Sequence, residues 1–248
     1  MSRSVRYTLF FAGGALVAVL FVWAVVGMPS FGSNFHPYRD LAIGATIAHG
    51  TANAVSSVNF DQRAIDTLGE ETIFFASVLG AAELLRPSKE EREAKREHGG
   101  MFRVMASTRF AGYVLLPLTL LIGLDVVAHG HITPGGGFQG GVVLATGVHL
   151  LYVAGSYDAL ERVRPVHLYE YGEVAGALAF VGLGFAGIVI AGSYLSNIIP
   201  YKGFGHLISA GNVEVLNFAV GIEVASGVIV MLAHFLEQAI ALQGGPHE

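Results

Sequence analysis

From Tyr7 to Met28 the chain carries no charged residue, and five more apolar runs follow before the C-terminus. About 20 consecutive apolar residues are enough to cross the hydrocarbon of a bilayer. The later runs extend from Glu70 to Leu85, closed by Arg86-Pro87, and from about Thr108 to His129. Another follows Pro134-Gly135-Gly136-Gly137 to near Tyr157, and the last two cover about Gly172 to Leu195 and Val213 to Gln238. Only 13% of the chain is charged against 53% hydrophobic, too little polar surface to face water on every side. Lipid is therefore the expected solvent. The first run is too long for a signal-peptide core, and Pro29, Ser30 and Phe31 follow it instead of a small-residue cleavage site, so it reads as a retained helix.

The expected fold is thus all-α: a polytopic integral membrane protein with six transmembrane helices and both termini cytoplasmic. Basic residues support this count. It leaves Arg3, Arg6, Arg86, Lys89, Arg92, Lys95, Arg96, Arg103, Arg109, Arg162 and Arg164 inside, 11 in all, and only Arg39, Arg63 and Lys202 outside. Leu41 to Val58 is weakly apolar and broken by His49 and Asn53. A seventh span there would move the basic loop at 86–103 outside, so the stretch reads as interfacial or re-entrant. Lys89 to Glu97 mixes both signs at helical spacing and reads as a solvated linker helix. It separates a two-helix unit, 1–87, from a four-helix unit, 107–248, with 88–106 as a charged cytoplasmic linker. The net charge of −5, with basic residues confined to short loops, excludes a nucleic-acid partner. Without cysteine there is no disulfide, thiolate nucleophile or Cys-bound metal. No metal triad, Ser/His pair or cofactor motif points to an enzyme, and no cofactor is expected.

Ionisable groups inside a membrane are costly and need a partner, a wet cavity or a function. In Asp61-Gln62-Arg63-Ala64-Ile65-Asp66-Thr67-Leu68-Gly69-Glu70-Glu71, Thr67-x-x-Glu70 has capping-box spacing, and two acids in a first turn suit the helix dipole. The same acids, Asp66 and Glu70, beside Arg63 at the mouth of a span also suit a doorway for protons or Na⁺. The segment from His129-Gly130-His131 through Pro134, Gly135, Gly136 and Gly137 to Gly140 and Gly141 lacks a third metal ligand and the Lys-Ser/Thr ending of a P-loop. It reads as a structural turn permitting positive φ and close helix contact, or as unwound backbone beside a polar His131.

In the last run Asn212, Glu223 and His234 are 11 residues apart, close to three helical turns, and so share a face with Glu223 near the midplane. Glu223 serves there as bundle glue or as one part of a proton or cation relay. His149, midway along its own run, is either a satisfied interior histidine or a relay partner of Glu223. Glu83, Asp125, Glu173 and Glu214 lie nearer span ends and read mainly as interfacial. Gly172-x-x-x-Gly176 and the glycines at 182, 184 and 187 suggest a face packed against another helix.

Two of these segments carry a family resemblance. Gly130-His131-Ile132-Thr133-Pro134-Gly135-Gly136-Gly137-Phe138-Gln139-Gly140-Gly141 resembles the GHxxPGGGFxGG signature of the MnhB/MrpB family, a four-helix subunit of Mrp-type multisubunit Na⁺/H⁺ antiporters. Thr108-Arg109 and Leu115-Leu116-Pro117 fit that family's opening span, and Asn217 to Glu223 falls where its last span begins. Upstream, Phe60-Asp61-Gln62-Arg63-Ala64-Ile65-Asp66-Thr67-Leu68-Gly69-Glu70 resembles the FDxRxxDTLGE segment. That segment occurs at the C-terminus of the large MrpA subunit or in the small MbhE-type subunit of membrane-bound hydrogenases. Gln62 and Ile65 depart from the residues often seen near those positions, which leaves ion preference open.

The resemblance implies a multi-pass subunit in the cell (cytoplasmic) membrane, with other Mrp-type subunits, including large antiporter-like ones, and the lipid bilayer as partners. The transported ions would be Na⁺ and H⁺. The resemblance implies that lysine-centred proton channels lie in the larger subunits, and no span here contains a lysine. By analogy Asp66 and Glu70 would line the ion path; His131 and Glu223 join them mainly by their depth and spacing, and His149 and His234 by position alone. The same module in a redox-driven complex, with redox subunits alongside, is the alternative, and a purely structural scaffold is a third reading.

Overall fold

The computed structural model describes residues 3–28, 36–86, 105–154 and 165–243, together with 32, 34, 160, 162 and 163. Among them are helices and turns but no strand. The chain divides into two compact units, Met1–Asp40 and Leu41–Glu248. The first contains α1 (Arg3–Val26), whose described side chains from Ser4 onward are all exposed. A helix apolar on every side has no polar stripe to offer water and needs lipid or other helices around it.

α2 (Pro37–Ala48) is followed by a turn at Gly50, with φ +68°, and by α3 (Ala54–Ser57). Asn53 caps α3, its Oδ1 accepting from the Val55 and Ser56 backbone N–H groups. One π-helical turn, Val58–Gln62, leads into α4 (Ala64–Leu84). α4 therefore starts three residues before Thr67, and the expected capping box does not form. The π turn removes the need for it: the Arg63 N–H already donates to the Val58 carbonyl, and that of Asp66 to the Arg63 carbonyl.

α5 (Ala106–Ala128), α6 (Gly137–Val153), α7 (Val166–Ala191) and α8 (Asn212–Gln243) complete the second unit. α8 is central and packs against α4, α5, α6 and α7, while α5 pairs with α6 and α4 with α7. One apolar core joins Phe60, Phe180, Leu216, Val220 and Val224, and a second joins Ala145, Val148, Leu151, Leu160 and Ile229. Missing side chains set the helix spacing. Gly137 and Gly141 bring α6 onto the α8 backbone, and Gly176 brings α7 onto the Ala219 carbonyl. Gly172 meets Ser226 of α8 as well, whereas Gly184 and Gly187 pack on Tyr194 and the Ser193–Ser196 turn, and Gly182 faces open space.

Six of the described helices coincide with the six apolar runs. Four are long and apolar enough to cross a membrane: Ser4–Val26, Ala106–Ala128, Val166–Ala191 and Asn212–Leu236. α6 is apolar but spans only 17 residues, about 25 Å against about 30 Å of hydrocarbon. α4 is 21 residues long and carries four acids, Asp66, Glu70, Glu71 and Glu83. Residues 41–58 form no single helix but two short ones joined by a turn. The expected linker helix at 89–97 lies outside the described residues.

Candidate functional site

Three helices each turn one carboxylate inward. On α4, Thr67, Glu71 and Val78 share the buried face, while Asp66 and Glu70, one residue or about 100° away from it, point outward. On α7, Glu173 heads the buried stripe of Gly176, Phe180, Gly184 and Gly187. α8 buries Glu223 completely. Relative exposures are 4% for Glu71, 2% for Glu173 and 0% for Glu223. Both Glu223 oxygens, Glu71 Oε2 and Glu173 Oε1 lack a hydrogen-bond partner, and both Glu71 and Glu173 lie within electrostatic reach of Glu223.

The sequence of α4, α7 and α8 contains no lysine or arginine, and only His167 and His234 could add positive charge. Buried carboxylates without donors or counter-charges favour whatever neutralises them, a proton or a small cation. A cleft of about 80 Å³ reaches Glu71 and Glu223 between Leu68, Thr72 and Phe75 of α4 and Ala177, Phe180 and Val181 of α7. That is room for several waters.

A polar cap covers the end of the bundle where α8 begins. His49 Nδ1 bonds Asp61 Oδ2, the Tyr201 hydroxyl donates to Asp61 Oδ1 at 3.1 Å, and the His49 and Tyr201 rings stack with centroids 4.5 Å apart. Partial burial, the Asp61 charge and the bond to Asp61 push the Tyr201 phenol up to about 12, against a smaller opposite pull from Asn197. Gln62 Nε2 donates to the Ala42 carbonyl, Thr46 Oγ1 and Ser57 Oγ. Asp61 thus ties α2 to the loop between α7 and α8. Asp61→Ala is expected to cost about 0.5–1.5 kcal/mol, since water can reach both part-exposed partners, read as a lower melting temperature in detergent. In Asp61→Asn the Tyr201 phenol should ionise at lower pH, seen as tyrosinate absorbance that Tyr201→Phe removes.

The glycine turn is locked from three sides. Gly135 and Gly136 have φ of +146° and +145°. The Gly137 N–H donates to Asn217 Oδ1 at 2.9 Å, and Asn217 Nδ2 donates to Ser56 Oγ and the Val213 carbonyl. The His131 carbonyl accepts from the Ala52 and Asn53 N–H groups, while Asn53 Nδ2 donates to the Gly130 and Thr133 carbonyls. Gly135, Gly136, Gly137, Gly140 and Gly141 therefore sit in a packed joint, Pro134 beside them is exposed, and none of the six lines the cleft.

The candidates named from sequence scatter across the fold. Glu223 lies at the bottom of the cleft. Asp66 and Glu70 are exposed, with Asp66 paired to Arg63 at 2.6 Å. His131 is fully buried at the cap, its Nε2 3.5 Å from Glu214 Oε1, and its Nδ1 has no hydrogen-bond partner. His129 pairs with Asp125. His149 does not line the cleft, and its Nδ1 faces the Ala145 carbonyl of its own helix. His234 is half-buried, 11 residues beyond Glu223. Asn212, on the face with Glu223, instead accepts from the Ile198 and Ile199 N–H groups. Glu173, placed near a span end by sequence, is buried among the helices: α7 starts at Val166, behind the Pro165 cap, so Glu173 lies two turns inside it. Glu71 is the residue that sequence reasoning misses beside Glu70, although its spacing from Thr67 marks it as inward once the helix start is known.

A family model described as a domain related to the MnhB subunit of Na⁺/H⁺ antiporter matches residues 107–230. An uncharacterized protein of Methanocaldococcus jannaschii is 34% identical over 194 residues, covering 71% of this chain and 73% of its own. A probable K⁺/H⁺ antiporter subunit of Rhizobium meliloti is 24% identical over 246 residues, covering 90% of this chain but 24% of that protein. Among solved structures, a chain of the Mrp complex from a Dietzia species shares the fold, with a TM-score of 0.66 and 24% identity; the match covers 94% of this chain and 26% of that one. A chain of an archaeal membrane-bound sulfane sulfur reductase, a respiratory membrane complex, also matches at a TM-score of 0.66 and 26% identity, over 94% of this chain and 98% of its own. The present chain therefore spans about a quarter of the first of these two structural relatives and nearly all of the second.

Proposed function

The chain belongs to the MnhB-related family of Na⁺/H⁺ antiporter subunits, and from that premise we propose that it is a multi-pass membrane subunit of a multisubunit cation/proton-translocating complex. Within that complex Glu71, Glu173 and Glu223 take up and release protons or Na⁺. One observation carries this reading: three buried carboxylates from three helices, short of hydrogen-bond donors, two of which, Glu71 and Glu223, are reached by a cleft large enough for water. Acids kept for packing alone would have donors, because an unpaired buried carboxylate destabilises the bundle that holds it.

Six spans with both termini cytoplasmic is the topology that goes with this role. It is supported by six helices at the six apolar runs and by the asymmetry of basic residues. The 1–87 and 107–248 units, joined through 88–106, then correspond to two subunits carried on one chain in the cell membrane. The chain itself catalyses no reaction. A redox-driven assembly is favoured by one specific observation, the near-complete coverage of the sulfane sulfur reductase chain. In that case the redox centres belong to other subunits.

Purification through a tag on this chain in mild detergent, followed by mass spectrometry, tests the proposal and separates its two forms. Large antiporter-like membrane subunits without redox proteins identify a cation/proton antiporter. Hydrophilic metal-containing subunits identify a redox-driven pump. A chain purified alone, stable and unaccompanied, would refute both.

A further inference from the structure

The cleft opens between the first half of α4 and the middle of α7. Thr72 at its mouth is exposed, Leu68, Phe75, Ala177 and Val181 are half-buried, and Glu71 and Glu223 form its floor. Both acids present oxygens without partners. Neither helix wall, nor α8 behind it, carries a lysine or arginine. Acyl chains supply no donor, and with lipid alone against the cleft a free ion would have to cross hydrocarbon to enter it. A cation tethered to another membrane helix meets no such barrier, since its long stem can lie along the apolar walls while its head reaches the acids. Gly69 of α4, next to the lining residue Leu68, has nothing within 4 Å of a Cβ position, so a second helix can approach closely there.

We propose that this cleft receives a membrane helix of a neighbouring subunit, which inserts a lysine or arginine side chain opposite Glu71 and Glu223. The proposal rests on the reading of the chain as part of a larger complex. It adds that the three-acid site is completed across a subunit boundary, so that ion occupancy here and the neighbour's position are coupled through one charge pair. The chain has no cysteine, so Thr72→Cys and Val181→Cys each create a unique thiol at the mouth.

The test is to label each variant with a photoactivatable maleimide in membranes containing the intact complex, irradiate, and identify the adducts by mass spectrometry. Both positions are expected to capture one helix of one other subunit, with a lysine or arginine within a turn of the captured residue. Changing that basic residue to glutamine should lower the yield of assembled complex by more than about tenfold, and Glu223→Gln in this chain should restore it, because breaking a buried pair leaves one charge stranded. Adducts only to lipid, only within this chain, or only to a second copy overturn the proposal, as does a captured helix without a basic residue. The co-purification described above separates these outcomes: other subunits that accompany the chain while the cleft captures lipid leave the functional reading standing and remove this one.

Discussion

Replacing Glu223 with glutamine is expected to lower ion transport by the assembled complex about a hundredfold, equivalent to about 2.7 kcal/mol in barrier. Glutamine keeps the shape of the side chain and removes the charge that a proton or cation would bind. Glu71→Gln and Glu173→Gln should each reduce transport at least roughly tenfold, since both acids act on the same site. Glu70→Gln, one residue from Glu71 but exposed, is expected to stay within about twofold. Stability should move the other way. In this chain freed of its neighbours there is no donor to lose, so Glu223→Gln leaves the melting temperature unchanged or raises it, because burying a neutral amide costs less than burying an unpaired carboxylate. Cation-driven pH change in everted vesicles and thermal melting of this chain after removal of the other subunits read the two effects. Normal assembly with full transport in Glu223→Gln would falsify the ion-path assignment.

The second large effect concerns the joint between the glycine turn and α8. A Cβ at Gly137 would lie on the Asn217 backbone carbonyl and against Val220, so Gly137→Ala must push two packed helices apart. A cost of about 3 kcal/mol or more is expected, because neither contact is the free end of a flexible side chain. Asn217→Leu reaches the same joint from the other side. It strands the buried Gly137 N–H and removes the bond to Ser56, at about 1–3 kcal/mol for each orphaned group. Both variants should melt earlier and assemble poorly. Gly182→Ala, where nothing lies within 4 Å, should instead be neutral or stabilising by up to about 1 kcal/mol through helix propensity. Equal melting of Gly137→Ala and Gly182→Ala would show that the helices at the joint are not held by close backbone contact.

The contrast between Glu70 and Glu71 shows how much of the site the sequence discloses. Both acids stand at the head of one apolar run, and helical periodicity separates their faces only once the first helical residue is known. The π turn at Val58–Gln62 starts α4 at Ala64, and the inward face then falls on Thr67, Glu71 and Val78. Glu173 escapes the sequence for a related reason, since α7 begins six residues before the apolar run from Gly172 does. Asn217 lies off the face shared by Asn212, Glu223 and His234. No sequence period singles it out, because the outward stripe of α8, Val215, Phe218 and Ile222, is itself apolar and marks no polar face.

Composition and local period suffice for a helical chain whose solvent is lipid, for the places of its six long helices, for the glycine turn, and for the interior position of Glu223. Each follows from the free energy of a residue in its own segment, apolar side chains against water or glycine against φ. Only the packing of the bundle brings Glu71, Glu173 and Glu223 together, sets His131 against Glu214, and lets Asp61 join α2 to the loop after α7. Those pairings join residues far apart in the chain, and they depend on helix rotation and spacing set where glycines let backbones touch.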